Sequence, residues 1–468
     1  MFTKLRKIKL SGKDVYPIIE GGKGVGVSNG ASSGSFAAAD AVGTFSGVNC
    51  AVLDEKGRAI PLVYRGKTRL ERHEELIQYS IEGAIHQARV AHEVSQGKGR
   101  IHVNVLWEMA AAERVLHGLL SKAKDIVHGI TCGAGMPYKV AEIAEKYNQY
   151  YYPIISSMRA FRALWKRSYH KHKENLGGVV YEDPWKAGGH NGLSNAENPK
   201  EPQDPYPRVA EIRKYMNDVG LQDTPIVMAG GIWNLAEFEH WVDNDEIGPI
   251  AFQLGTRPIF TKENTVPQSW KDKLQTLKED EVYLNRYSPT GFYSSAVEND
   301  FIKELQGREK RQIEISNVEC EKFDAIYEYG PRKRKIFVTK NDLARIKDWV
   351  HQGYTEMMKT PDNTAIFVDK ERSDKIRYDQ VNCMGCLSAC RFSNWYLNPE
   401  KNYTIGKLPD PRSFCIQKTL QNIVEGGDVD NELMFAGHNA FRFQSDKMYN
   451  NDYIPTTKEL VDKLISGE

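Results

Sequence analysis

The sequence predicts an α/β fold, a (β/α)8 TIM barrel with a cysteine-rich C-terminal extension expected to be mostly helical or irregular. Three observations predict it. Short apolar runs alternate with amphipathic stretches between residues 15 and 254, the pattern of parallel strands joined by helices. Eight such runs can be counted. The last two end in Gly230-Gly231 and Gly255-Thr256, where barrels of this kind often hold a phosphate.

The first strand is read at 15–19 and leads into Glu20-Gly21-Gly22-Lys23-Gly24. These glycines do not fit the dinucleotide fingerprint, because no helix opens directly on them. Residues 43–48 supply the second strand. Leu76, Ile77, Ile81, Ala84, Ile85 and Ala88 recur at helical spacing and place a long helix over 70–95. The third strand is 101–106, with a helix near 108–122 after it. The fourth, 126–131, ends at Cys132-Gly133-Ala134-Gly135-Met136-Pro137, and Pro137 suits the first position of a helix. The fifth is 152–156, followed by a helix over 157–168. The sixth, 178–181, runs through Glu182-Asp183-Pro184 into Ala187-Gly188-Gly189-His190-Asn191-Gly192. A polar excursion over 191–207 carries four prolines and is long enough to form a lid. A helix near 207–219, a strand at 225–229, a helix near 234–243 and a strand at 250–254 complete the alternation.

The totals narrow the function class. With 468 residues, the chain divides into an expected barrel over 1–310 and an extension over 311–468. A net charge of +1 leaves no global field for nucleic acid or membrane. No apolar run approaches a membrane span, and the basic start, 1–10, lacks the apolar core of a secretory signal, so a cytoplasmic location is expected. The basic runs 308–311 and 332–335 read as solvated faces rather than as an RNA platform, since no aromatics interleave them. A helix is expected over 341–358, and Thr456-Thr457-Lys458-Glu459 is a capping box opening a last helix over 457–466.

Four of the seven cysteines fall between 383 and 415. Cys383, Cys386 and Cys390 form a C-x2-C-x3-C run, with Cys415 as fourth thiolate, a set suited to a [4Fe–4S] centre. Zinc is the weaker alternative, because structural zinc sites use two separated pairs or histidines; His438 would complete one. Cys50, Cys132 and Cys320 read as ordinary small apolar residues. Cys132 alone ends a strand that faces the expected site.

His190 is the candidate acid/base, because an imidazole titrates near neutral pH and the glycine pair beside it lets the backbone approach something flat. In Ile18-Ile19-Glu20-Gly21-Gly22, Val103-Asn104-Val105, Ala187-Gly188-Gly189-His190-Asn191-Gly192, Ala229-Gly230-Gly231 and Gln253-Leu254-Gly255-Thr256-Arg257, the chain resembles the FMN-dependent nitronate monooxygenases (2-nitropropane dioxygenase-like). Their relatives include flavin-dependent enoyl-ACP reductases. The resemblance runs from about residue 15 to about 305. It implies FMN, with its phosphate on the amides of Gly230, Gly231, Gly255 and Thr256, and its ring near Gly21, Gly22 and Asn104. Gly189 and Glu182 would border the cofactor, and His190 would stand over it. Where relatives have Gln-Gly-Gly-Met, this chain has Glu20-Gly21-Gly22-Lys23, which would put a carboxylate and an ammonium beside the ring. The cysteine run is similar instead to the cluster segment of 2,4-dienoyl-CoA reductase-type flavoenzymes.

Two enzyme readings follow. In the first, FMN takes electrons from an alkyl nitronate and His190 removes the α-proton of a nitroalkane. In the second, NAD(P)H or an electron-carrier protein reduces FMN, and an activated double bond is reduced with a proton from His190. A small-molecule substrate is expected in either, and the sequence leaves the oligomeric state open, a homo-oligomer included. A non-catalytic, redox-sensing or RNA-associated scaffold would explain the tail, but His190 between glycines opposes it.

Overall fold

The computed structural model describes residues 5–54 and 58–467. Residues 1–4 of the basic start lie outside the described residues. Eight parallel strands close into a barrel: β1 (Ile18–Glu20), β2 (Val42–Ser46), β3 (Arg100–Leu106), β4 (Gly129–Gly133), β5 (Tyr150–Ile155), β6 (Val179–Glu182), β7 (Ile226–Ala229) and β8 (Ile250–Leu254). Each pairs with its chain neighbours, and β8 closes on β1 through Phe252–Leu254 against Ile18–Glu20. The strand residues are almost all buried, as expected of parallel strands covered on both faces.

Helices α1 (Gly30–Ala38), α2 (Arg69–Ser95), α3 (Ala112–Ala123), α4 (Val140–Lys146), α5 (Met158–Arg167) and α6 (Pro205–Asp218) form the outer layer. Capping boxes at Asn29 and Thr68 start α1 and α2 by satisfying amides that the first turn leaves free. The expected helix near 234–243 is a 3-10 segment, Ala236–Trp241, broken at Phe238. α7 (Gln268–Thr276) follows β8.

The start of the chain differs from expectation. Val15 belongs to a hairpin, Ile8–Leu10 against Lys13–Val15, and Tyr16-Pro17 separates it from β1. Pro17 has no N–H for a central ladder, so the barrel strand begins after it. Leu10 and Val15 pack with Ile19, Val42, Tyr152, Val180, Val227 and Ala251, which fill the barrel interior. Ser11 bonds Tyr152 and the His102 ring and fastens this plug.

Beyond α8 (Asp300–Lys310) the chain leaves the barrel and returns. Strands Gln312–Glu314, Glu356–Lys359 and Thr364–Val368 form one small sheet, and Ala325–Tyr329 pairs with Arg334–Val338. With α9 (Lys340–His351) they enclose a second core around Ile313, Ile336, Ile346 and Phe367. The helix expected over 341–358 stops at His351, and the apolar pair Met357-Met358 that extended its period is a strand. α10 (Lys370–Val381), α11 (Ile416–Val424) and α12 (Thr457–Ile465) follow, and α12 opens on the expected Thr456 capping box. Residues after α10 pack back on the barrel mouth: Ala110 N donates to Cys386 O at 3.1 Å, Ser388 N to Glu108 O at 2.7 Å, and Val297 N to Met434 O at 2.8 Å.

Candidate active site

A deep cavity opens at the C-terminal ends of the barrel strands. His190, Gly21, Gly22, Asn104, Glu182, Gly189, Gly230, Gly231, Gly255 and Thr256 all line it, so ten candidate residues spread over the chain meet at one place.

The phosphate end is built from backbone. Gly230 and Gly231 adopt φ +87° and +76°, a region that side-chain-bearing residues rarely enter. The amides of Gly230, Gly231, Gly255 and Thr256 donate to no protein acceptor among the described residues. A Cβ on Gly255 would meet nothing within 4 Å, so its bare α-carbon faces open space. Four unpaired amides around a bare glycine fit the phosphate of FMN. Arg257, next in sequence, also lines the cavity, but its guanidinium is tied up behind it. Its guanidinium is buried, donates to Tyr449 Oη at 3.0 Å, to Trp233 O and to Asp446 Oδ2 at 2.9 Å, and lies over the Trp233 ring. It pins the phosphate loop to the C-terminal segment.

On the opposite wall, Gly21 N donates to Leu254 O at 2.7 Å. Gly22 is glycine because Asn104 packs on it; a Cβ there would come within 2.2 Å of Asn104 Cβ. Lys23 lines the cavity, and its ammonium donates to Gly21 O at 2.6 Å. Glu20 does not line it, contrary to the expectation of a carboxylate beside the ring. It is fully buried toward α1, where Ser32 and Ser33 hydroxyls each donate to it at 3.0 Å and Lys23 lies at 3.4 Å. Burial raises the Glu20 pKa, and the Lys23 charge opposes that rise.

Glu182 ends β6 on the cavity, and no protein hydrogen bond engages its carboxyl among the described residues. Burial, with the Asp183 charge beside it, pushes its pKa up to about 8. His190 follows in a two-residue strand, Gly189–His190, paired with Ser294 and Ser295 of a short antiparallel sheet. Its Nε2 lies 2.6 Å from Ser288 Oγ, and Ser288 Oγ lies 2.9 Å from Thr290 Oγ1. Nδ1 has no protein partner among the described residues, and burial lowers the imidazole pKa to about 4. The ring is therefore neutral at pH 7, with one nitrogen held and the other free for a ligand.

Gly188 lines the cavity and is also a packing point. A Cβ there would lie 2.5 Å from Ala436 C and 2.7 Å from Gly437 N. Residues 435–440 roof the cavity: Phe435 meets the His190 ring edge-on at 5.6 Å, Gly437 N donates to Thr256 Oγ1 at 2.9 Å, and Asn439 donates to Gly231 O at 2.6 Å. Ile416 and Leu420 of α11 complete the wall. Sequence reasoning missed this roof. One signal was available: Gly437-His438-Asn439 repeats Gly189-His190-Asn191. The proline-bearing excursion, expected as a lid, lines none of the cavity; it is held outside by an Arg208–Glu197 ion pair at 2.8 Å and by the Trp185 indole on Asn198 O.

The C-terminal cysteines lie against the same wall. Cys383, Cys386 and Cys390 are buried and Cys415 is half-buried as the residue before α11. Cys386 feels the charge of the other three, which together with burial raises its pKa. Cys383 Sγ accepts from Gly385 N at 3.4 Å and from Ser393 Oγ at 3.0 Å. Gly385 turns at φ +66°, with Trp395 and His73 where a Cβ would go. Among the described residues no three His, Cys, Asp or Glu side chains converge on a single-ion site. His438, expected to complete a zinc site, bonds Ser295 Oγ at 3.0 Å instead, beneath the roof. Cys132 is wholly buried in the main core and does not line the cavity, and Cys320 is exposed rather than an apolar filler.

No helix among the described residues is long and apolar enough to cross a membrane. No curated protein matches the chain in sequence. Among solved structures it is similar to FabK from Thermotoga maritima, with a TM-score of 0.50 and 13% identity over 96% of this chain and 92% of that one. The enoyl reductase domain of MlnA from Bacillus amyloliquefaciens gives 0.50 and 12% over 97% and 93%. A nitroalkane oxidase from Streptomyces ansochromogenes gives 0.43 and 16% over 62% and 78%. At these identities the likenesses speak to the barrel alone. The model of one family, described as nitronate monooxygenase, matches residues 8–467, reaching well past the end of the expected resemblance and taking in the cysteine segment and the roof. The chain belongs to the nitronate monooxygenase family and is an FMN-dependent oxidoreductase.

Proposed function

We propose that the chain carries out nitronate monooxygenase-like chemistry, with His190 exchanging a proton with the substrate carbon beside the flavin. The observation that carries this reading is the unpartnered Nδ1 of a neutral imidazole, facing a cavity whose far end is a cradle of free amides. FMN supplies the two-electron chemistry when bound. The protein binds its phosphate at Gly230, Gly231, Gly255 and Thr256 and borders its ring with Gly21, Gly22, Asn104, Glu182 and Gly189. The sheet that carries Gly189–His190 fixes the imidazole, and Ser288 sets its tautomer. With Nε2–H donating to Ser288, Nδ1 accepts a proton from a nitroalkane; with Ser288 donating, Nδ1–H gives one to a substrate carbon. The roof excludes water above the ring.

The cysteines form part of the proposal as ligands of a [4Fe–4S] centre. Supporting this are four buried or half-buried thiols in the C-x2-C-x3-C run and before α11, one of which, Cys383, accepts from Gly385 N at 3.4 Å and Ser393 Oγ at 3.0 Å, the kind of donors that such sulfurs use. Buried polar atoms without partners surround them: Tyr64 Oη, His73 Nδ1, Trp395 Nε1 and Gln417 Nε2. That centre favours a second reading, reduction of an activated double bond. Anaerobic mixing separates the two: bleaching of the bound flavin by an alkyl nitronate supports the oxidative reading, and bleaching only by a reductant supports the other. Protein purified without flavin-binding capacity would overturn both.

A further inference from the structure

From the loop after β1 we infer that Lys23 sets a fixed positive charge against the flavin ring and so tunes the ring as an acceptor of electron pairs. The inference rests on the proposed placement of the ring beside Gly21 and Gly22 and deepens it.

Lys23 lines the cavity directly after those two glycines, and its side chain is only 15% exposed. The loop that carries it is closed on itself. Lys23 N donates to Ser28 Oγ at 3.0 Å, Ser28 N to Lys23 O at 3.0 Å, and Ser28 Oγ to Gly21 O at 3.1 Å. The ammonium folds back onto the same Gly21 O at 2.6 Å, so it is held at the level of the first glycine rather than at the end of a free side chain. One of its N–H groups goes to Gly21 and one to Glu20, and the third has no protein acceptor among the described residues.

The counter-charge stands behind the wall. Glu20 does not line the cavity; it lies 3.4 Å from the ammonium and also takes the Ser32 and Ser33 hydroxyls at 3.0 Å. Three donors on one carboxyl favour its ionised form, and that charge holds the lysine protonated against the burial that lowers its pKa. The pair therefore turns its positive end to the cavity. Glu182 is the one acidic side chain lining the cavity among the described residues, and burial favours its uncharged form. The Arg257 guanidinium is engaged elsewhere and Lys186 is exposed, which leaves Lys23 as the buried cation for the ring. An electron pair given to the ring leaves a negative charge there until a proton follows. A cation beside it in a water-poor cavity stabilises that charge.

Sulfite is the probe, on full-length protein loaded with FMN. Its sulfur lone pair forms a bond to flavin N5, no atom leaves, and the ring takes up the negative charge. Wild-type flavin should be bleached, and Lys23→Met protein should need about tenfold more sulfite, or beyond, for half-bleaching. Lys23→Arg, which keeps the charge, should stay closer to wild type; Lys23→Gln replaces Lys23→Met if that variant does not fold. Because sulfite is itself an anion, a second readout omits it. The affinity for reduced relative to oxidised FMN, from equilibration with a redox dye, should fall by about tenfold in Lys23→Met. Wild-type flavin that takes no sulfite would overturn the inference without any variant. Equal sulfite affinities, or an unchanged ratio of reduced to oxidised binding, would overturn it while leaving FMN in its site. Wild-type protein that binds no FMN would overturn the placement of the ring itself.

Discussion

Glu182 should be an uncharged acid at neutral pH, and its replacement by glutamine makes that measurable. The folded-state pKa is about 8, against 4.5 for an ordinary glutamate, because the carboxyl is buried beside Asp183. A pKa raised by folding means that the folded chain holds the proton more tightly than the unfolded one. The resulting stabilisation is complete below pH 4.5 and is lost as the pH rises through about 8. The span, 8 − 4.5 = 3.5 units, corresponds at 1.36 kcal/mol per unit to about 5 kcal/mol. Water reaching the carboxyl through the open cavity reduces this to about 2–3 kcal/mol. Glu182→Gln keeps the size and a hydrogen-bond donor but cannot ionise. Urea unfolding of flavin-free protein, wild type beside variant, gives the difference in stability at pH 4.5 and at pH 8. That difference should move against the wild type by about 2–3 kcal/mol as the pH rises. Titrations of groups remote from residue 182 cancel between the two proteins, and the neighbouring Asp183 is the one coupled to it. Parallel stability curves would refute the argument, and would mean that solvent or an undetected donor keeps Glu182 ionised.

Replacing His190 by alanine should lower turnover by about 10²–10⁴-fold while the flavin spectrum persists; rates and bound flavin measured on one sample check it. Gly255→Val should leave the thermal midpoint of the flavin-free protein unchanged, because the added side chain meets no protein atom near its Cβ. Flavin affinity, followed by fluorescence quenching, should fall, because the side chain occupies the space at the free amides. Arg257→Ala should destabilise the fold by about 3–5 kcal/mol, since it leaves Asp446 and Trp233 O without their buried cation. Denaturant titration reads this directly, and a loss below about 1 kcal/mol would place the guanidinium among weak surface pairs.

The barrel was legible because its strands are buried on both faces and its helices on one, so two periods alternate along the chain. The glycine pair after β7 was legible because positive φ demands glycine at Gly230 and Gly231. Elsewhere a glycine also records packing. Gly188 is glycine for the sake of Ala436 and Gly437, a contact between segments far apart in sequence that no local pattern records. Glu20 could be placed next to Gly21 by reading alone, but its direction, toward Ser32 and Ser33 rather than the cavity, depends on how α1 packs. The strands after Lys310 were hidden by charged runs such as 332–335, which are the exposed turn and strand of a hairpin whose inner face is Ile336 and Val338.

The roof over the flavin cavity has a consequence for biosynthesis. Residues 435–440 are made long after the cradle loops they cover. During synthesis the barrel can close while its upper face is still an uncovered bowl, open to cofactor from above. Only when the later segment emerges and docks on Gly188, Thr256 and Gly231 is the upper face covered. A chain interrupted within the small sheet beyond α8 would keep its cradle amides and still lose the cover that holds a cofactor in place.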